Sequence, residues 1–146
     1  MDRINKTETL YEILNSKTFT INVYQREYRW GRKQIEQLIN DITDCFLMYY
    51  ENSKFKHEDT DEVAQYGYYF MGSIIRTGDD STKEIVDGQQ RLTSLTLLLM
   101  YINKMLHDQG NHELDSMLPN MILSSPFGAK KTFNINVPER KVCMEH

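Results

Sequence analysis

Ile85-Val86-Asp87-Gly88-Gln89-Gln90-Arg91-Leu92 is the stretch on which the reading of this chain turns. A β-branched pair runs into an acid, a glycine and three polar side chains, and a long apolar helical pattern follows. Eight residues therefore hold a strand, a tight turn and a helix start. The first turn of a helix leaves backbone N–H groups without intrahelical partners and carries partial positive charge. Glycine lacks a Cβ, so Gly88 permits a bent backbone or the close approach of a ligand. Such a corner suits an anion, phosphate included. The same residues also satisfy a purely structural pattern. With Asp87 as N-cap, Gln90 stands three residues on, as a capping box requires. Capping leaves Arg91 unexplained, because a cation in the first helical turn opposes the macrodipole. Taken alone, the residues leave both readings open.

Working outward, Leu92, Leu95, Leu99, Ile102 and Leu106 form one stripe of a helix over 89–107, widened by Leu98 and Met105. That much apolar surface predicts a central, well-covered helix. Gly110 marks its C-terminal stop. Upstream, residues 83–86 read as the strand delivering the corner. Tyr68-Tyr69-Phe70-Met71-Gly72-Ser73-Ile74-Ile75 reads as a buried strand, with a turn at 78–81 closing a hairpin. Phe19, Ile21 and Val23 alternate like a strand, preceded by a short helix capped by Thr7 or Thr9 and bearing Leu10, Ile13 and Leu14. Ile35, Leu38, Ile39, Ile42 and Phe46 predict a helix to about Tyr50, and residues 51–65 a solvated loop. Further on come a short helix around 113–123, a turn at 126–128 and an edge strand through Phe133, Ile135 and Val137. Pro138 opens a new helix. The chain's end in that helix's third turn suggests a piece of a longer protein.

The 146 residues are 40% hydrophobic and 26% charged, with net charge −4. That fits a globular chain with a real core and gives no overall basic field for nucleic acid. Cys45 and Cys143 form neither a disulfide framework nor a metal motif, so a reduced cytoplasmic setting is the simplest reading. No signal peptide is visible, and the apolar run at 95–102 is too short to span a bilayer. His57, His107, His112 and His146 show no i,i+4 pairing, which disfavours a histidine metal site.

A second polar cluster, Tyr24-Gln25-Arg26-Glu27-Tyr28-Arg29-Trp30 with Arg32 and Lys33, follows the first strand. Arginine offers a planar fork suited to phosphate, and aromatic faces stack on bases. The bland alternative makes the aromatics core and leaves the arginines solvated or paired with Glu27 and Asp41. Because both clusters sit at strand ends, they can converge on one pocket.

Together these residues resemble a known family. The pattern is Ile21-x-x-Tyr24-Gln25-Arg26-x-Tyr28-x-Trp30, Gln34-Ile35-x-x-Leu38-x-x-Asp41-Ile42, Tyr69-Phe70-Met71-Gly72-Ser73-Ile74 and Ile85-Val86-Asp87-Gly88-Gln89-Gln90-Arg91-Leu92-Thr93-Ser94-Leu95. It is similar to the N-terminal domain of GmrSD-type modification-dependent restriction proteins, over roughly residues 19–100. Asn22 stands where that family often has proline. The resemblance implies an α+β fold related to ParB and sulfiredoxin, with a small mixed or antiparallel sheet packed on helices. Residues 1–110 would form this domain and 111–146 the start of a C-terminal helical part.

The resemblance further implies bacterial defence against foreign DNA, with a nucleoside triphosphate bound, and in some members hydrolysed, at the Asp-Gly-Gln-Gln-Arg loop. On that reading Gly88, Arg91, Arg26, Gln25 and Tyr24 bind the nucleotide and its phosphates. Asp87 binds Mg²⁺ or orients water, and Gln89 or Gln90 positions that water; these three are the catalytic candidates. Charge neutralisation and positioning are what phosphoryl transfer demands. No Walker-type lysine loop is present. A second reading is a DNA-binding or nicking module, modified DNA included, with Arg29, Arg32 and Lys33 on the backbone. A third is a structural domain without ligand. The nuclease domain carried by many full-length members is missing from this chain, so nuclease activity is not carried over.

Overall fold

The computed structural model describes residues 6–25, 27–52, 60–78, 83–125, 130–137 and 145. Arg26, Cys143, the expected turns at 79–81 and 126–128, and the expected helix at Pro138 lie outside these residues. The chain divides into two compact units, one of Met1–Glu27 with Ser73–His146 and one of Tyr28–Gly72.

The first unit is built on a four-stranded mixed sheet. Its strands are β1 (Phe19–Ile21), β2 (Ile75–Gly78), β3 (Lys83–Asp87) and β6 (Ile135–Asn136), in the order β2-β3-β1-β6. β1 is central, parallel to β3 with Ile21 opposite Ile85 and parallel to β6 with Phe19 opposite Ile135. β2 and β3 form the expected antiparallel hairpin, with a bulge at Ile75 and Arg76. Side chains alternate across a strand, so Phe19 and Ile21 share one buried face while Thr20 is exposed. Against that face pack α1 (Leu10–Leu14), α4 (Gln89–Asp108) and α5 (Leu118–Ile122). Leu14, Phe19, Ile21, Ile85, Leu92 and Ile135 are essentially sealed from solvent, each contributing about 1.5–3 kcal/mol of burial. Leu118, Met121 and Val137 extend the same core. A small antiparallel pair, β4 (Leu123–Ser124) and β5 (Thr132–Phe133), completes the unit.

Local chemistry explains the ends of these elements. Thr9 is the N-cap of α1 and forms a full capping box with Glu12: the Glu12 N–H donates to Thr9 Oγ1 (3.2 Å) and the Thr9 N–H to Glu12 Oε2 (2.7 Å). That backbone donor holds the Glu12 carboxyl below its ordinary range. Asn134, fully buried, ties three elements together. Its Nδ2 donates to Leu14 O (2.7 Å) and Asn120 O (3.1 Å), and its backbone carbonyl accepts from the Phe19 N–H (2.6 Å).

Two expectations change. The stretch 68–74 is irregular, and the strand begins only at Ile75; Tyr68 is 88% and Phe70 80% exposed. Its aromatic composition suits a strand, but the boundary between the two units falls inside it. The cover on α4 is also partial. Residues 92–96 are buried, whereas Tyr101 and Met105 face solvent. Within the buried turns Thr93, Ser94 and Thr96 return their hydroxyls to the carbonyls of Gln89, Gln90 and Leu92, so these polar groups are satisfied in the core.

The second unit centres on α2 (Arg32–Asn52), followed by the single turn α3 (Thr60–Val63) inside the expected loop. Gln34 Oε1 accepts from the Gly31 N–H (3.0 Å) at the start of α2. Asp41 accepts from Gln37 Nε2 (2.6 Å) and the Tyr69 hydroxyl (3.1 Å). Phe46 stacks on Tyr50, and Tyr49 on Tyr66. Gln34, Asp41 and Tyr69 of the motif pattern thus have structural work within this unit. Among the described residues no helix is long and apolar enough to cross a membrane.

Candidate functional site

Because β1 and β3 run parallel, they finish side by side, with Ile21 opposite Ile85. The chain leaves the sheet at such carboxyl ends, and the diverging loops form the crevices in which ligands of parallel sheets bind. After β1 come Asn22 and the 3-10 turn Val23–Gln25; after β3 come Gly88 and α4. An open groove of ≈ 330 Å³ beside the end of β1 is lined by Asn22, Tyr24, Gln25, Glu84 and Val86; none of Asp87, Gly88, Gln89, Gln90 and Arg91 lines it. Alternation along β3 puts Glu84 and Val86 on the same face. Tyr24 stands at the groove with 96% of its surface exposed.

Gly88 is the N-cap of α4, with φ 85° and ψ 6°. The capping box, one of the two readings open for Asp87 and Gln90, does not form, because Asp87 still belongs to β3 and pairs with Ile75. The reversal from strand to helix then falls on the next residue and requires a left-handed conformation, which glycine adopts readily. A Cβ at Gly88 would lie 3.1 Å from Ile74 Cγ1, 3.1 Å from Ser73 O and 3.3 Å from Ile74 Cα. The close approach that glycine permits is therefore to the protein's own Ser73 and Ile74.

The shift of the cap makes Gln89, Gln90 and Arg91 the first three helical residues. Gln90 Nε2 donates to Glu27 O (2.7 Å), and Arg91 Nη1 donates to Ser73 O (3.3 Å). The Asp-Gly-Gln-Gln-Arg corner thus holds both the loop after β1 and the segment leading into β2. Arg91 is half-buried and has no further partner among the described residues, so four of the five N–H donors of its guanidinium remain. The exposed Asp87 carboxylate, the Gln25 amide and the Tyr24 hydroxyl have no side-chain partner among the described residues either. Gln89 is half-buried at the helix start.

Arg29, Arg32 and Lys33 belong to the second unit and are exposed. Arg32 pairs with Glu36 one turn along α2 (2.6 Å). Sequence reasoning missed Glu84 and Val86 as groove residues, although strand alternation would have flagged them. It also missed the carbonyls of Glu27 and Ser73 as anchors, for which no side-chain signal exists.

The fold is α+β, and its strand-to-helix corner is bonded to Glu27 in the loop after β1 and to Ser73 ahead of β2. The chain matches the family model described as the GmrSD restriction endonuclease, N-terminal domain, over residues 10–141, and it belongs to that family. No curated protein matches it.

Proposed function

We propose that the β3–α4 corner binds the phosphates of a nucleoside triphosphate, in a protein that serves restriction of foreign DNA. Membership of the GmrSD restriction endonuclease N-terminal family supports the restriction role. One observation carries the ligand reading. Arg91 is fixed at the third position of α4 by Ser73 O, yet has no acidic partner among the described residues. A cation there is disfavoured by the helix dipole, at about 0.3–1 kcal/mol. An anion between its free donors and the helix start reverses that penalty. Arg26, which lies outside the described residues, is a second phosphate candidate by residue type, and Tyr24 and Gln25 offer an aromatic face and an amide for base or ribose.

Mg²⁺ accompanies triphosphates through one or two carboxylates plus phosphate oxygens. Asp87, an exposed carboxylate with no partner among the described residues, fits that donor set. When bound, the ion neutralises charge on the phosphates. Gln89 or Gln90, in the first turn of α4, is the candidate to position a water for hydrolysis. Contact with modified DNA through Arg29, Arg32 and Lys33 ranks second; the family name favours a DNA target for the whole protein, but the net charge of −4 and the Arg32–Glu36 pair do not.

Isothermal titration of the chain with GTP, ATP and UTP, each with Mg²⁺, tests the proposal. Saturable 1:1 heat with at least one of them is expected. No heat with any of the three would overturn the reading.

A further inference from the structure

The other end of α4, about 30 Å along a helix of this length, carries a second cluster. His107 sits in the last turn, and the helix closes in a Schellman motif: the Gly110 N–H donates to His107 O (2.9 Å) and the Asn111 N–H to Leu106 O (2.9 Å). Gly110, at φ 70°, reverses the chain. Asn111 Oδ1 accepts from the Glu113 N–H (3.0 Å), and the Asp115 N–H donates to His112 O (3.2 Å). This turn returns His112 and Asp115 to His107. Asp115 Oδ1 lies 3.0 Å from His107 Nε2, and Asp115 Oδ2 lies 2.9 Å from His112 Nδ1. The two imidazole rings meet edge to face at 5.1 Å. One nitrogen from each histidine and one Asp115 oxygen all lie within 4.8 Å of one another, on exposed residues.

We propose that His107, His112 and Asp115 form a binding site for a divalent transition-metal ion of the zinc class. Donor atoms about 2.1 Å from a common tetrahedral centre stand about 3.4 Å apart; here the two histidine–carboxylate distances are 3.0 and 2.9 Å and the three donor atoms lie within 4.8 Å of one another, so small side-chain rotations bring them to that spacing. Two imidazoles and one carboxylate are a donor set for Zn²⁺, Co²⁺ or Ni²⁺ and a poor one for Mg²⁺ or Ca²⁺. Three protein ligands leave positions for water or an outside group. Sequence spacing disfavours a histidine pair at i,i+5 because it is judged on a continuous helix; the turn at Gly110 ends that helix and brings the rings together. The bound ion joins the end of α4 to the 112–115 turn, just ahead of α5, whose Leu118 and Met121 lie in the core. The site is independent of the nucleotide reading.

The test is titration of the metal-stripped chain with Zn²⁺ alone, alongside visible absorption with Co²⁺. Wild type is expected to bind one Zn²⁺ saturably, to gain a Co²⁺ d–d spectrum and to unfold at higher temperature with Zn²⁺ than with chelator. His107→Ala, His112→Ala and Asp115→Asn each remove one ligand, and each is expected to weaken binding by at least about tenfold, the lower bound seen even for outer-shell changes. The double variant His57→Ala/His146→Ala is expected to bind as wild type does. Absence of saturable 1:1 binding, or binding that none of the three ligand variants weakens, overturns the site. The variants alter exposed side chains, and circular dichroism of each confirms that a loss of binding is a loss of ligand.

Discussion

Replacing Gly88 by alanine is expected to destabilise the protein by about 2–5 kcal/mol, read as a lower midpoint of urea unfolding. Two costs add. An L-residue in the left-handed region costs roughly 1–2 kcal/mol, and Gly88 has φ 85°. The new methyl would also stand 3.1 Å from the Ser73 carbonyl and from Ile74 Cγ1; inserting a group into such a packed site costs about 1–3 kcal/mol. Gly110 supplies the control. Its φ is 70°, but a Cβ there would meet nothing within 4 Å, so Gly110→Ala should carry only the backbone cost. If the two alanine variants unfold at the same urea concentration, the tight contact of Gly88 with Ser73 and Ile74 is wrong. The position therefore has a structural reason to be glycine whether or not a ligand binds beside it.

Arg91→Ala is expected to weaken nucleotide binding by about 10–100-fold, since a hydrogen bond to a charged group is worth about 1.5–3 kcal/mol. Its effect on stability should be small, below about 1 kcal/mol, because the variant loses one long bond from a half-buried side chain. Arg91→Lys should fall between, keeping the charge but losing the planar fork, whose geometry suits two phosphate oxygens. This separation of affinity from stability distinguishes a binding arginine from a structural one. Affinity within about twofold of wild type in Arg91→Ala would remove Arg91 from the site.

The strand-to-helix corner was readable because glycine, the apolar stripe from Leu92 and the β-branched pair before it are local signals of backbone geometry. The pattern did not settle which residue caps the helix. Asp87 is a good N-cap by type, but the ladder from β2 reaches it and keeps it extended, a long-range effect that no local rule contains. Arg91 was legible as an anomaly in a first helical turn; that Ser73 O anchors it was not, because a carbonyl acceptor is the same in every residue. Tyr68 and Phe70 misled for the opposite reason: their side chains favour a strand, and tertiary context left them exposed. His107 and His112 show a third kind of gap. The stop at Gly110 was visible, but the return of the chain beyond it came from the Schellman bonds and the Asn111 turn. Gln34 and Asp41, conspicuous in the motif pattern, serve the second unit's own hydrogen bonds.

Backbone amide spectra recorded during nucleotide titration, by nitrogen–proton correlation NMR, test the central claim most directly. The signals of Gln89, Gln90 and Arg91 should move together with those of residues 22–25 and saturate with a single dissociation constant. Signals at the start of α4 that stay still while nucleotide is bound, or shifts confined to other parts of the chain, would contradict the phosphate site at the β3–α4 corner.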